Sequence, residues 1–136
     1  MTYVSALIWN KEGPYGEVLA LRGEDGKLRF PMTAVHTAEE SEQAVVRAAA
    51  EQLGWTVRTD KLELRGRHKR PDNYYEFHEY YSAVCLWRGG QETPAGAVWV
   101  HPSKLDADAF AGDDAKFLSK YVAWVNGREV RDTRMY

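Results

Sequence analysis

Long apolar runs are missing from this chain of 136 residues. The longest stretches, such as Ala83 to Trp87, are far too short for a helix that crosses a bilayer. Cysteine is nearly missing too. The one thiol, Cys85, excludes a disulfide framework and any zinc site built from cysteines. Its apolar strand setting predicts a buried free thiol rather than a catalytic one, which would want an electropositive, partly exposed position. A strand-like pattern opens at Tyr3 with no basic segment and no small-residue cleavage site, so no secretory leader is expected and a cytoplasmic protein is the default. Net charge is small, at -2, and argues neither for nor against a nucleic-acid partner. There is no internal repeat, linker or low-complexity tract. What is present is ordinary globular usage, 44% hydrophobic and 28% charged, on a length suited to one domain with one sizeable core.

Strand and helix periods alternate along the chain. Tyr3 to Trp9 is an apolar strand run, closed by a turn-rich segment with Gly13 and Pro14. Glu17 to Arg22 forms a second run, and the turn Gly23 to Gly26 leads into a short strand, Lys27 to Phe30, which Pro31 ends. Thr37, Ala38, Glu39 and Glu40 have the form of a capping box, with Thr37 as N-cap and Glu40 three residues on. The helix predicted from it spans about 38–53, with Val45, Ala49 and Leu53 as an apolar stripe and Gly54 as its left-handed stop. Leu62 and Leu64 alternate with charged residues, as in a half-exposed strand. After them come the basic cluster Arg65, Arg67, His68, Lys69 and Arg70, then a long strand run from Tyr74 to Trp87. Val98 to Val100 is a short strand, His101 to Leu105 a short helical turn, and 113–126 a final helix carrying Phe117, Leu118, Tyr121, Val122 and Val125 on one side. Residues 128–136 read as a polar tail after a single domain, 1–127. Strands and helices in this order predict an α/β fold, a mixed sheet with helices packed on its faces.

That order, with the segment Phe30 to Trp55, resembles the Nudix superfamily. The family's box is written G-x5-E-x7-R-E-U-x-E-E-x-G-U, where U is bulky and apolar. Glu39, Arg47, Glu51, Gly54 and Trp55 all fall at the required spacing, and the resemblance covers about residues 3–126. It implies a Nudix-like α/β/α sandwich with helices at about 38–53 and 113–126, a magnesium-dependent hydrolase of nucleoside diphosphates linked to some moiety X, and a tendency to dimerise. Glu39, Arg47 and Gly54 are then the residues that shape the loop and helix, Arg47 tying the helix to its preceding loop through Glu39.

The departures fall on the chemistry. Thr33 replaces the opening glycine, Ala48 the glutamate after the arginine, and Gln52 the last glutamate. Helix geometry explains the consequence. Positions three and four apart share a face, about 6 Å from one another, so 48, 51 and 52 would aim three carboxylates at one point. Magnesium is a hard cation that needs carboxylates beside phosphate oxygens, and it serves by polarising the phosphoryl group and generating hydroxide. Here Glu51 alone keeps a carboxylate, as catalytic residue or metal ligand, and Gln52 offers only a neutral carbonyl oxygen. Mg²⁺ is implied by the family and opposed by Ala48 and Gln52.

Other candidates lie outside the box. Glu40, Glu42, Glu76, Glu79 and Glu92 are acids that a divergent enzyme would recruit, each otherwise a solvated or capping residue. Arg22, Arg67, Lys69 and Arg70 are the phosphate-binding candidates, since basic side chains supply sequence-independent phosphate affinity. Tyr74, Tyr75, Tyr80, Tyr81, Trp87 and Trp99 offer rings to a nucleobase, although strand aromatics are more often core. His78 and His101 lack metal-ligand spacing and read as incidental. The leading reading is a Nudix-fold protein, weak or inactive as an enzyme, that binds a nucleotide-like or phosphate-bearing ligand or a protein partner. The alternatives are a divergent hydrolase using Glu51 with acids from elsewhere, and an interaction or nucleic-acid module built on Arg65 to Arg70.

Overall fold

The computed structural model describes residues 1–10, 17–69, 75–87, 94, 96–101, 104, 106–112 and 114–119, with the side chains of 60–69, 75, 76 and 87 outside that description. Seven strands form one mixed sheet: β1 (Thr2–Trp9), β2 (Val18–Arg22), β3 (Leu28–Arg29), β4 (Met32–Ala34), β5 (Thr56–Lys69), β6 (Tyr75–Trp87) and β7 (Ala97–Val100). Their main order is β3-β2-β1-β6-β5, with β4 paired to β1 and β7 to β2.

The apolar run that opens the chain takes the middle of the sheet because both of its faces are covered. Val4, Ala6 and Ile8 pack in one core cluster, Leu7 and Trp9 in another. That alternation is the period of two that a strand imposes, and it explains why β1 shows no polar face. One edge of β1 runs parallel to β6 from Thr2↔Phe77 to Trp9↔Val84. The opposite edge is shared: Trp9 pairs with Val18 of β2, while Tyr3, Val4 and Ser5 pair with β4.

Helix α1 (Ser41–Leu53) covers the face of Val4, Ala6 and Ile8, burying Ala44, Val45, Ala48, Ala49 and Leu53. Three alanines on the buried side let its backbone approach the sheet closely. Burial of Val45 and Leu53 contributes about 1.5–3 kcal/mol each. Gly54 ends the helix at φ 69°, where a residue with a Cβ is strained, and its N–H donates to Ala50 O. On the other face, residues 114–119 are helical, and Phe117 and Leu118 pack with Phe30, Tyr80 and Phe110. The Tyr80 and Phe117 rings stack with centroids 3.9 Å apart. The architecture is the α/β/α sandwich expected.

Several details differ from expectation. Helix α1 starts at Ser41 rather than near 38: Glu40 is the N-cap, and its N–H donates to Gln43 Oε1 at 2.9 Å. Thr37 is not the cap, because Ala38 adopts φ 66° and a turn closes from Glu39 N to His36 O. Met32 to Ala34, to which the sequence pattern assigns no strand, is strand β4. The half-exposed strand around Leu62 extends from Thr56 to Lys69, with register shifts at both Thr56/Val57 and Thr59/Glu63. The third strand shrinks to Leu28–Arg29, and a short 3-10 helix at Ala107–Ala109 was not anticipated. Cys85 is free and half-buried. The expected helical positions 120–126, the tail and Arg70 lie outside the described residues.

Candidate functional site

The box begins at Thr33, paired with Val4 of β1 inside β4, and ends at Trp55. Arg47, in the middle of α1, organises it. Its Nε and Nη2 donate to the two oxygens of Glu39 at 2.9 and 3.0 Å, Nη2 also donates to Ala34 O at 2.7 Å, and Nη1 to Thr33 Oγ1 at 3.3 Å and Glu51 Oε1 at 3.4 Å. A guanidinium has five N–H donors, so these five bonds use its full capacity. Glu39 further accepts from His36 N at 3.0 Å. The Arg47 hydrogen bonds, then the His36 amide, hold the Glu39 carboxyl down to about 2, and Glu39 in turn raises the Arg47 pKa. The end of β4 and the loop that follows it to Glu39 are thereby pinned to the helix. Thr33, where the family has glycine, supplies one of the acceptors.

The three late helix positions meet different fates. Ala48 is fully buried. Gln52 Nε2 donates to Met32 O at 2.8 Å, a bond that an ionised glutamate has no proton to make. Glu51 is 60% exposed and its oxygen leans on Arg47. For a divalent cation this donor set does not fit. One position has no donor, one turns its amide N–H₂ to a backbone carbonyl, and the third shares its charge with a guanidinium. Among the described residues no group of three or more His, Cys, Asp or Glu could hold a metal ion.

Acids from elsewhere do not gather at Glu51 among the described residues. Glu79 is buried and accepts from Ser41 Oγ and, at 3.4 Å, from Tyr81 OH. Ser41 opens α1, ten residues before Glu51, which is about 15 Å along a helix. Glu42 accepts from Thr59 Oγ1 at 3.1 Å. Glu92 and the Glu76 side chain lie outside the described residues.

A cavity of about 390 Å³ is lined by Arg29, Met32, His78, Ala111, Gly112 and Asp114. Met32 joins the two regions, its carbonyl held by Gln52 and the residue itself lining the cavity. Arg29 is steered by Asp25, whose oxygens accept from its Nη2 at 2.9 and 3.1 Å. Asp25 is held below its ordinary pKa, first by the Lys27 amide and then by Arg29. His78 Nε2 and Ser5 Oγ are 2.7 Å apart in the interior. Asp114 anchors the far wall, accepting from Phe30 N at 2.9 Å and Tyr80 OH at 2.7 Å.

Sequence reasoning passed over these lining residues. His78 read as incidental, yet it is buried and stacked on Tyr80 at 4.6 Å. Its position two residues before Tyr80 on one strand face was the available signal. Asp114 falls inside the expected helix 113–126 with no role assigned. Among the phosphate-binding candidates, Arg22 ends β2 with Nη1 donating to Gly26 O at 2.9 Å. Arg67 and Lys69 lie on β5, in register with Phe77 and Tyr75, and their side chains lie outside the described residues.

A family model described as NUDIX domain matches residues 1–121. No protein of curated function matches the chain. Solved structures do. An Ap4A hydrolase from C. elegans superposes with a TM-score of 0.66 at 16% identity, covering 91% of this chain and 97% of that one. RenU, a Nudix hydrolase from M. smegmatis, gives 0.66 at 21%, covering 95% and 84%. A NUDIX hydrolase from Nitrosomonas europaea gives 0.65 at 17%, covering 90% and 88%. At such identities the likeness speaks for the fold alone.

Proposed function

The chain belongs to the NUDIX domain family, and from that premise we propose that it is a ligand-binding member whose box has lost divalent-metal hydrolysis, leaving it weak or inactive as an enzyme. The observation that carries this reading is the state of the three late helix positions: Ala48 sealed in the core, Gln52 donating to Met32 O, and Glu51 drawn to Arg47. Arg47 and Glu39 keep the loop in shape without contributing to a metal site. Scaffold is retained while the groups that would activate water are gone.

The ligand this reading assigns is a nucleotide-like or phosphate-bearing molecule, seated in the cavity beside Met32. Its volume of about 390 Å³ falls within the roughly 300–1,000 Å³ of small-molecule sites. Arg29 offers hydrogen-bond donors to an anionic or carbonyl-rich group, and His78 offers a ring beside it. Polar groups few in number and fixed by neighbours, as Arg29 is by Asp25 and Asp114 by Tyr80, are what orient a small ligand. A protein partner or a second copy of the chain is a further occupant that the family fold allows.

The test incubates the purified protein with Mg²⁺ or Mn²⁺ and a panel of nucleoside diphosphate derivatives, following both binding and turnover. Binding with negligible turnover is expected, weakened by Arg29→Ala and indifferent to Glu51→Gln. Robust metal-dependent turnover that Glu51→Gln abolishes would overturn the reading in favour of a divergent hydrolase.

A further inference from the structure

Arg65, Arg67 and Lys69 of the basic segment are positions of β5, the strand that ends the sheet. Register sets Arg65 opposite Glu79, Arg67 opposite Phe77 and Lys69 opposite Tyr75. Alternate residues of a strand share a face and stand about 7 Å apart, so the three positions make a row on one face of β5. Arg65 lies across from an acid. Arg67 and Lys69 lie across from aromatic residues, and Phe77 is 45% exposed. On its other side Phe77 is in register with Thr2, so its cross-strand neighbours are one cation and one uncharged residue.

We infer that this row is a binding strip for single-stranded nucleic acid, with Arg67 and Lys69 meeting backbone phosphates and Phe77 stacking on an unpaired base. Cations that track a backbone supply affinity without sequence preference. A large exposed ring is of use to a polyanion whose base faces are free, and a duplex hides those faces in its own stack. The row follows one strand, which suits a thread-like partner better than a broad one. With a net charge of -2 on the whole chain, the attraction is local to β5, and it weakens as salt screens it.

Titration of a labelled oligouridylate of about twenty nucleotides against the intact protein tests this, with a duplex of the same length and phosphatidylserine vesicles as separate arms. The single strand is expected to bind most tightly, with affinity falling as salt rises. The double variant Arg67→Gln/Lys69→Gln should lower the log–log salt slope by about 1.4, roughly 0.7 for each phosphate left without its cation. Phe77→Leu, which keeps apolar bulk and removes the ring, should weaken binding about tenfold and leave that slope unchanged. Failure to bind the single strand at low salt, equal or tighter binding of the duplex, or binding of vesicles alone would each overturn the inference. So would variants that melt like the parent and bind like it. The wild-type comparison among the three probes needs no variant to fold.

Discussion

Arg47 shows how one side chain can hold a loop in shape. Its bidentate bond to Glu39 depends on that carboxylate staying ionised, and the depressed pKa turns the pair into a pH-dependent contribution to stability. The sign follows from the direction of the shift. Glu39 is ordinarily near 4.5 and falls to about 2 in the folded protein, so the contribution is complete above the ordinary value and is lost as pH drops through about 2. Chemical-denaturant melts taken across that window should show stability falling with acid, and Glu39→Gln should remove part of the slope while lowering stability at neutral pH. An identical slope in the variant would mean that other carboxylates carry the acid sensitivity.

Gln52 and Ala48 make the complementary case. Restoring the family's carboxylates with Ala48→Glu and Gln52→Glu looks from sequence like a repair. The fold says otherwise. Position 48 is fully buried, so a glutamate there loses its water, at a cost of about 3 kcal/mol. Gln52→Glu exchanges a donor for an acceptor opposite Met32 O, costing about 1 kcal/mol. The double variant is expected to melt early and to show no metal-dependent turnover. A variant as stable as the parent that hydrolyses a nucleoside diphosphate derivative would show that only the carboxylates were missing.

Elements were legible in the sequence where one face was apolar over several turns, and illegible where a tertiary contact decided. Helix α1 shows both. Its stripe of Val45, Ala49 and Leu53 and its stop at Gly54 were readable, and Gly54→Ala should cost about 1 kcal/mol in a thermal or denaturant melt, because φ 69° strains any Cβ. Its start was misread because the Thr37 pattern fits a cap locally, while Ala38 at φ 66° delays the helix to Ser41. Strand β4 carries only three residues, too few for a period, and exists because Tyr3, Val4 and Ser5 offer it an edge. The box residues were found by their spacing. The cavity was not, because Arg29, His78 and Asp114 lie far apart in sequence and meet only when β6 and the helical segment at 114–119 cover the same face.

At the scale of the whole molecule, the sheet separates two tasks. One face receives α1 and the box, the other receives Phe117 and Leu118 and abuts the cavity through Asp114 and Tyr80. The donor set at 48, 51 and 52 does not fit a divalent cation. Ligand and metal should therefore act differently on stability. A molecule that binds only the folded state adds RT ln(1 + [L]/Kd), about 2.7 kcal/mol at a hundredfold excess over Kd, which for a chain of this size raises Tm by roughly 10 °C. A nucleoside diphosphate should produce a shift of that kind with or without magnesium, whereas Mg²⁺ alone, or its removal by a chelator, should leave Tm where it was. Thermal melts of the four combinations distinguish the cases. Stabilisation by the nucleotide that appears only with Mg²⁺, and that Glu51→Gln removes, would mean that the cation is held after all and that Glu51 is part of what holds it.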